Sequence, residues 1–285
     1  MSKFGKKMEE ASVPMAYADI MHKHYNELTK SEKKVADYVL SVGQKVIYAT
    51  MTDIKKATHV GDATIVRFCQ KLGYSGFTDF KIEIAKEDFP KTKPATSVHY
   101  YDHIAQHLSD AIKATAALIK PETLQTAIQM MTNATRIWIF GVGGSGEIAH
   151  SLSSILLRSG LKCTPEADPH FQAQIASLLS PNDLVIGISL SGKTKDTYDS
   201  LKIAHDNGAK VIAITNATVS PIAQLADVTL QTAIEEFLNG GSVAGRVSQL
   251  YICNVLAEGY EQMNHVDALA LKEKVLRAII DKSIG

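Results

Sequence analysis

Three hydroxyl side chains and a lysine crowd around one glycine at Ser189-Leu190-Ser191-Gly192-Lys193-Thr194, directly after the apolar run Leu184-Val185-Ile186-Gly187-Ile188. Such a run reads as a buried parallel strand, and the hydroxyl cluster as the loop turning from its carboxyl end into a helix that begins near Thr194. In open α/β sheets ligands bind at that end. A helix amino terminus offers unpaired N–H groups and a partial positive charge, Gly192 lets the backbone approach closely, and the hydroxyls of Ser189, Ser191 and Thr194 can donate to phosphate oxygens. The plainer alternative is an ordinary turn in which Thr194 only caps the helix.

A related loop follows the apolar run Ile137–Phe140: Gly141-Val142-Gly143-Gly144-Ser145-Gly146. Gly141, Gly143 and Gly146 fit the dinucleotide fingerprint GxGxxG, and Glu166 and Asp168 stand about 20 positions on, where that fingerprint wants an acid. An NAD-dependent enzyme therefore remains open on spacing. Ser145 closes this loop, and adjacent strand-end loops of a doubly wound sheet converge on one crevice, which joins Gly143 and Ser145 to Ser189, Ser191, Gly192 and Thr194 as candidate ligand-binding residues. No nucleophile has an evident neighbouring base. Cys69, Cys163 and Cys253 are far apart in apolar surroundings, so neither a disulfide framework nor a CxxC metal site is available, and a reducing cytoplasm is the expected home. His22 and His24 do not share a helix face; His103 and His107 do, but lack a third ligand. No cofactor or metal is called for.

The elements that position these loops sit in a chain of 285 residues, 45% hydrophobic and 21% charged, with a formal net charge of +0. That length favours about two domains, and the balanced charge names no partner. The amino terminus is polar, and no run of about 18 apolar residues occurs, so neither export nor membrane spanning is expected. The amino-terminal part reads as helical. Ala16–His24 forms a short helix; Thr29 stands three residues before Glu32 as a capping box, with Val35, Tyr38, Val39 and Val42 at helical spacing and Gly43 as the stop. Two short helices follow, the first with Ile54 and Ala57 inward, the second with Ile65, Phe68, Cys69 and Leu72, and Gly61-Asp62 supplies the turn and cap between them. Helix, glycine turn, helix is the layout that docks a recognition helix in the DNA major groove. Ala63, Arg67 and Gln70 point away from the apolar stripe, flanked by Thr64, Val66 and Lys71, and Lys55 adds local positive charge. That surface suits base edges and phosphates.

These residues carry a resemblance. Thr29–Leu40 followed by Ala49–Lys81, with its run DATIVRFCQKLGYSGFTDFK, resembles the amino-terminal domain of the RpiR/MurR family of bacterial transcription regulators. The resemblance implies that Ala63, Thr64, Arg67 and Lys71 face DNA and that Tyr74, Ser75 and Gly76 form the turn into a closing helix with Phe77 and Phe80; Tyr74 and Ser75 therefore join the candidate DNA-binding residues. The paired loops GVGGSG and SLSGKT resemble the sugar isomerase (SIS) domain over about Ala127–Gly259, in which such hydroxyls hold a phosphosugar's phosphate. Asp168-Pro169-His170-Phe171-Gln172 resembles a sugar-proximal segment of MurR-like members. It makes Asp168, His170 and Gln172 sugar ligands; alternatively Asp168 is a helix cap and His170 a surface residue. In SIS isomerases a glutamate before the last core helix acts as base; Glu235 or Glu236 falls there, with Arg246 as a possible ionic partner.

The expected fold class is therefore α/β: an all-α helix-turn-helix DNA-binding domain over 1–86, a linker over 87–101 with two prolines, and a doubly wound parallel five-stranded SIS domain with flanking helices over 102–285. Helices are expected from Tyr101 to about Lys120, with Ile104, Leu108, Ile112 and Leu118 inward, over Glu122–Met131, over the segment SVAGRVSQLYICNVLAEGY with Val247, Leu250, Tyr251, Val255 and Leu256 as its stripe, and over Asp267–Ile280. The expected function is a cytoplasmic, non-enzymatic regulator of sugar or amino-sugar catabolism genes. Its partners would be operator DNA and a phosphosugar effector. It would act as a homodimer or dimer of dimers, because paired half-sites multiply the limited discrimination of one helix. The alternative is a phosphosugar isomerase or etherase with an added helical domain.

Overall fold

A computed structural model describes residues 16–88, 99–234 and 243–280. They form two compact units, one on each side of residues 89–98. Most of the expected linker, and both Glu235 and Glu236, lie outside the described residues.

The first unit holds α1 (Tyr17–His24), α2 (Lys30–Val42), α3 (Met51–Thr58), α4 (Asp62–Lys71) and α5 (Phe77–Asp88). The capping box before α2 forms as expected: the Thr29 N–H donates to Glu32 Oε2 at 2.8 Å while the Glu32 N–H donates to Thr29 Oγ1. Thr50 and Asp53 build a second box before α3. Each such cap contributes about 1 kcal/mol by pairing otherwise orphaned donors. Val35, Val39, Ile54, Ile65, Phe68, Phe80 and Ile84 are fully buried in one core, with Phe68 and Phe80 edge to face at 5.8 Å. One inward assignment fails: Ala57 is exposed, and the buried neighbour is Thr58, whose hydroxyl is satisfied by the Ile54 carbonyl at 2.7 Å.

The second unit runs α6 (Tyr100–Ala117), α7 (Pro121–Asn133), β1 (Arg136–Phe140), α8 (Gly144–Arg158), β2 (Thr164–Glu166), α9 (Pro169–Ala176), β3 (Asp183–Ile188), α10 (Lys195–Asp206), β4 (Lys210–Thr215), α11 (Pro221–Leu225), β5 (Val228–Gln231), α12 (Val243–Met263) and α13 (Ala268–Ile279). The five strands are all parallel in the order β2-β1-β3-β4-β5. Alternate residues of β3 feed opposite faces: Leu184, Ile186 and Ile188 pack with α7, α8 and α12, whereas Val185 packs with α9, α10 and α11. That two-sided burial explains why the strand reads as a continuous apolar run.

Two helix faces differ from expectation. In α6 the residues facing the core are Ala111 and Thr115, while Ile104 is 52% and Leu118 39% exposed. Along α12 the buried face is Ala244, Gly245, Ser248, Gln249, Ile252, Cys253, Leu256 and Ala257; Val247, Leu250, Tyr251 and Val255 flank it, half-buried. Small residues let helices approach closely, so the packed face is not the one with the largest side chains.

An ion pair between the exposed Arg136 and the buried Asp183 joins the starts of β1 and β3. Arg136 donates through Nε and Nη2 to the two oxygens of Asp183 at 2.8 and 2.6 Å, and the Ser180 N–H and hydroxyl each donate to Asp183 at 2.8 Å. The Arg136 guanidinium, opposed by burial and helped by Ser180, holds the Asp183 carboxyl down at about 2. A value below the ordinary 3.8 means that this contribution to stability is complete above about pH 4 and is lost as pH falls towards 2. Denaturant midpoints measured from pH 5 down to pH 2 should show that loss, and Asp183→Asn should flatten it.

Candidate functional site

The first candidate site is the outer face of α4. Its inner face, Ile65, Phe68 and Cys69, is fully buried and anchors the helix. The turn from α3 is made by His59, left-handed at φ 56, and by Gly61, which takes the cap position without a side-chain bond. Ala63, Arg67 and Gln70 are exposed as expected, with Thr64 half-buried beside them and Arg67 Nη2 donating to Thr64 Oγ1 at 3.3 Å. Lys55 pairs with Asp62 at 3.2 Å across the turn. Ser75 is exposed, and its N–H donates to Asp79 at 2.8 Å at the entry to α5.

Two expected DNA-facing residues are placed otherwise. Lys71 donates to the buried Glu32 carboxylate at 2.8 Å and to the Glu27 carbonyl at 3.2 Å, so it ties α4 to α2. Burial pushes the Glu32 carboxyl up, but Lys71 and the Thr29 cap outweigh it and leave the group below its ordinary value. Tyr74 packs edge to face on Phe80 at 5.1 Å; burial, then the charges of Glu87, Glu83 and Asp79, push its hydroxyl up to about 12. Both residues serve the core seam because the chain folds back onto α2 and α5 there, which helical spacing within α4 does not reveal.

The second site is the carboxyl edge of the sheet. In the order β2-β1-β3-β4-β5 the chain leaves β1 and β3 in opposite directions, so their loops open a crevice at the switch point. On the β1 side stand Gly143, left-handed at φ 55 and capping α8, and the half-buried Ser145 in the first turn of that helix. On the β3 side Ser189 is buried, its hydroxyl 3.0 Å from Thr194 Oγ1 and accepting the Gly192 N–H at 3.1 Å. Ser191 is exposed and accepts the Lys193 N–H at 3.2 Å. Thr194 occupies the cap position of α10, yet its hydroxyl makes no cap bond. It turns across the loop to Ser189 instead, which answers the plainer reading of this segment.

The neighbourhood of His170 divides. Asp168 caps α9, accepting the N–H groups of His170 at 2.8 Å and Phe171 at 3.0 Å, and His170 is exposed. Gln172 is fully buried and its Nε2 donates to the carbonyls of Gly141 at 3.1 Å and Glu166 at 2.8 Å, so it braces the β1 loop. Arg246, on α12, pairs with Glu147 at 2.9 Å and lies over Gly144. Sequence reasoning overlooked Thr215, Asn216 and Ser220 at the end of β4, which support the hydroxyl loop from behind; a Thr-Asn pair closing an apolar strand is the signal that marks them. The thiols are not poised for chemistry: burial pushes Cys69 and Cys253 up to about 12 and raises Cys163 as well.

Comparison with known proteins adds to this geometry. Residues 15–91 match the model of the helix-turn-helix domain of the rpiR family, and residues 130–259 match that of the SIS domain. An HTH-type transcriptional regulator of Haemophilus influenzae is 33% identical over 273 residues, covering 91% of this chain and 95% of its own. One of Clostridium perfringens is 30% identical over 264 residues, covering 89% and 95%. Among solved structures, the Vibrio vulnificus NanR protein complexed with ManNAc-6P superposes with a TM-score of 0.76 at 28% identity, covering 94% of this chain and 100% of that one. The sugar isomerase domain of an RpiR transcription factor from Sphaerobacter thermophilus matches in fold, with a TM-score of 0.56 at 24% identity over 62% of this chain and 98% of its own. Among the described residues no helix is long and apolar enough to cross a membrane.

Proposed function

The chain belongs to the rpiR family of helix-turn-helix transcription regulators with a SIS domain, and we propose that a phosphosugar bound in its SIS domain sets its affinity for operator DNA. The observation that carries this reading is the turning of the Ser189 and Thr194 hydroxyls towards each other at the β1/β3 switch point, where the amino termini of α8, with Ser145 in its first turn, and of α10 both lie. Such a place is fit for a phosphate dianion: hydroxyl and N–H donors, a favourable helix field, and no carboxylate from the loops themselves. Gly143, Ser145, Ser189, Ser191, Gly192 and Thr194 take the phosphate, while His170 and Glu235 read the sugar. The NanR complex with ManNAc-6P makes an amino-sugar phosphate the leading class.

Operator DNA is read by Ala63, Thr64, Arg67 and Gln70, with Lys55 and Ser75 on phosphates. The genes controlled serve sugar or amino-sugar catabolism, the site of action is the cytoplasm, and the protein turns nothing over. It acts as a dimer. In support, α13 has no buried residue and leaves Leu269, Leu276 and Ile279, with Ile280 just after it, at least half exposed along one side, which a second copy would cover. Coupling between the sites is reciprocal: DNA alters effector affinity by the factor by which effector alters DNA affinity.

The test is fluorescence anisotropy of the full chain on DNA from upstream of its own gene, titrated with N-acetylmannosamine 6-phosphate, N-acetylmuramic acid 6-phosphate, glucosamine 6-phosphate and inorganic phosphate. Specific binding shifted by one sugar phosphate and not by inorganic phosphate is expected. Specific binding that none of them moves would overturn regulation by this class.

A further inference from the structure

We propose that Asn216 and Thr115 are positioning residues that connect the hydroxyl loop to α6, so that the state of the loop sets how firmly α6 is seated. The inference rests on reading that loop as the effector site. The connection is a series of hydrogen bonds. The carbonyl of Leu190, between Ser189 and Ser191, accepts from the Asn216 N–H at 2.9 Å and the Thr215 hydroxyl at 3.2 Å. The Asn216 carboxamide then grips a single residue beyond β5 from both sides: Nδ2 donates to the Ile234 carbonyl at 2.7 Å, and Oδ1 accepts the Ile234 N–H at 2.8 Å. One position earlier, the Ala233 N–H donates to Thr115 Oγ1 at 3.0 Å. Thr115 is fully buried on α6.

Each link does more than local packing requires. A threonine inside a helix commonly satisfies its hydroxyl on the carbonyl four residues back, as Thr115 does with Ala111 at 2.8 Å. Accepting in addition from a residue 118 positions away is not needed for that helix. Likewise, an asparagine at a strand end needs one partner, whereas Asn216 matches both backbone groups of Ile234 and also holds Leu190 through its own N–H. Next to this junction, among the described residues, the buried hydroxyl of Thr232, one position before Ala233, has no hydrogen-bond partner. A buried hydroxyl left unpaired is costly, so this position is a weak point of the local packing.

The physical step is short. A phosphate that takes the hydroxyls of Ser189 and Ser191 draws on the backbone between them, and the Leu190 carbonyl cannot move without its two donors at the end of β4. Asn216 carries that movement to residues 233–234, and Thr115 carries it to α6. In sequence, α6 follows residues 89–98, the stretch that joins it to the DNA-binding unit.

Two measurements on the full chain test the link. The first is amide hydrogen exchange without effector. In Asn216→Ala, exchange should rise about tenfold at Ala233, Ile234 and the buried turns of α6, as expected when a local opening unit loses its tie. A rise confined to residues 216 and 233–234 would overturn the proposal. The second is the ratio of operator Kd with and without whichever of the four titrated phosphates moves the wild type most. That ratio, typically about 5- to 150-fold in coupled proteins, should fall to within about twofold of one in Thr115→Val, with effector and effector-free operator affinities each within about threefold of wild type. Thr115→Ser, which keeps the hydroxyl, should restore it. An unchanged ratio in a Thr115→Val protein that binds both partners sinks the proposal. If no phosphate moves the wild type, the effector reading fails, while the exchange measurement still decides the link.

Discussion

A chain carrying Gly192→Ala is expected to bind its operator normally and to lose its response to phosphosugar. Gly192 stands at φ 63, in the left-handed region, where a side chain costs about 1–2 kcal/mol. Space is the greater obstacle. A Cβ at this position would lie 2.0 Å from Ser220 Oγ, 2.6 Å from Ser220 Cβ and 2.8 Å from Thr215 Oγ1. Ser220 is fully buried and caps α11 through the Ala223 N–H, so it cannot yield without breaking that cap. Gly192 itself is fixed at both ends, its N–H donating to Ser189 Oγ and its carbonyl accepting the Ile222 N–H at 3.2 Å. Overpacking of this kind costs about 1–3 kcal/mol more, and the chain escapes it by lifting the loop off β4. The hydroxyls of Ser189, Ser191 and Thr194 then no longer converge. With hydrogen bonds to a charged group worth about 1.5–3 kcal/mol each, losing two weakens effector binding by about 100-fold or more. Isothermal titration calorimetry with the effector and anisotropy on operator DNA check this together. Wild-type effector affinity in Gly192→Ala would remove the loop from the binding site. Ser191→Ala, which removes one donor and no space, should cost only about tenfold.

Elements whose signal lies within about ten residues are the ones the sequence discloses. The box at Thr29, the α4 stripe and the two strand-end loops are each specified by side chains adjacent on one helix or one turn, and the structure forms them where spacing places them. What spacing does not carry is the partner across a gap. Lys71 reads as a free cation at the end of a recognition helix, but Glu32, 39 positions away, claims it. Gln172 reads as a sugar ligand, but the Gly141 and Glu166 carbonyls take its amide. Along α6 and α12, large apolar residues attract attention, whereas the packed faces run through Ala111, Thr115, Gly245 and Ser248. Asn216 is visible as the close of an apolar strand, but its worth lies in Leu190 and Ile234, which no local pattern connects to it.

Arg67→Ala is expected to be the converse variant, folded and effector-competent yet blind to its operator. The Arg67 side chain is exposed, donates to Thr64 Oγ1 on its own helix, and lies opposite Ile65 and Phe68, so its removal leaves the core intact. A side chain that reads a base edge or grips a phosphate from this position is worth about 1–3 kcal/mol per half-site. A dimer on paired half-sites loses that twice, so operator affinity should fall by about 100-fold or more. The form of the loss identifies the contact. If Arg67 binds a phosphate, the salt dependence of operator binding becomes shallower by about one unit per half-site and every sequence weakens alike; if it reads a base, the salt slope changes little and one operator position loses its preference. Lys71→Ala provides the contrast. It strips the buried Glu32 carboxylate of its counter-charge, so its effect on DNA binding should arrive with a lower melting temperature. Arg67→Ala with an unchanged melting temperature and unchanged operator affinity would take α4 out of the DNA interface, whatever the fold resembles.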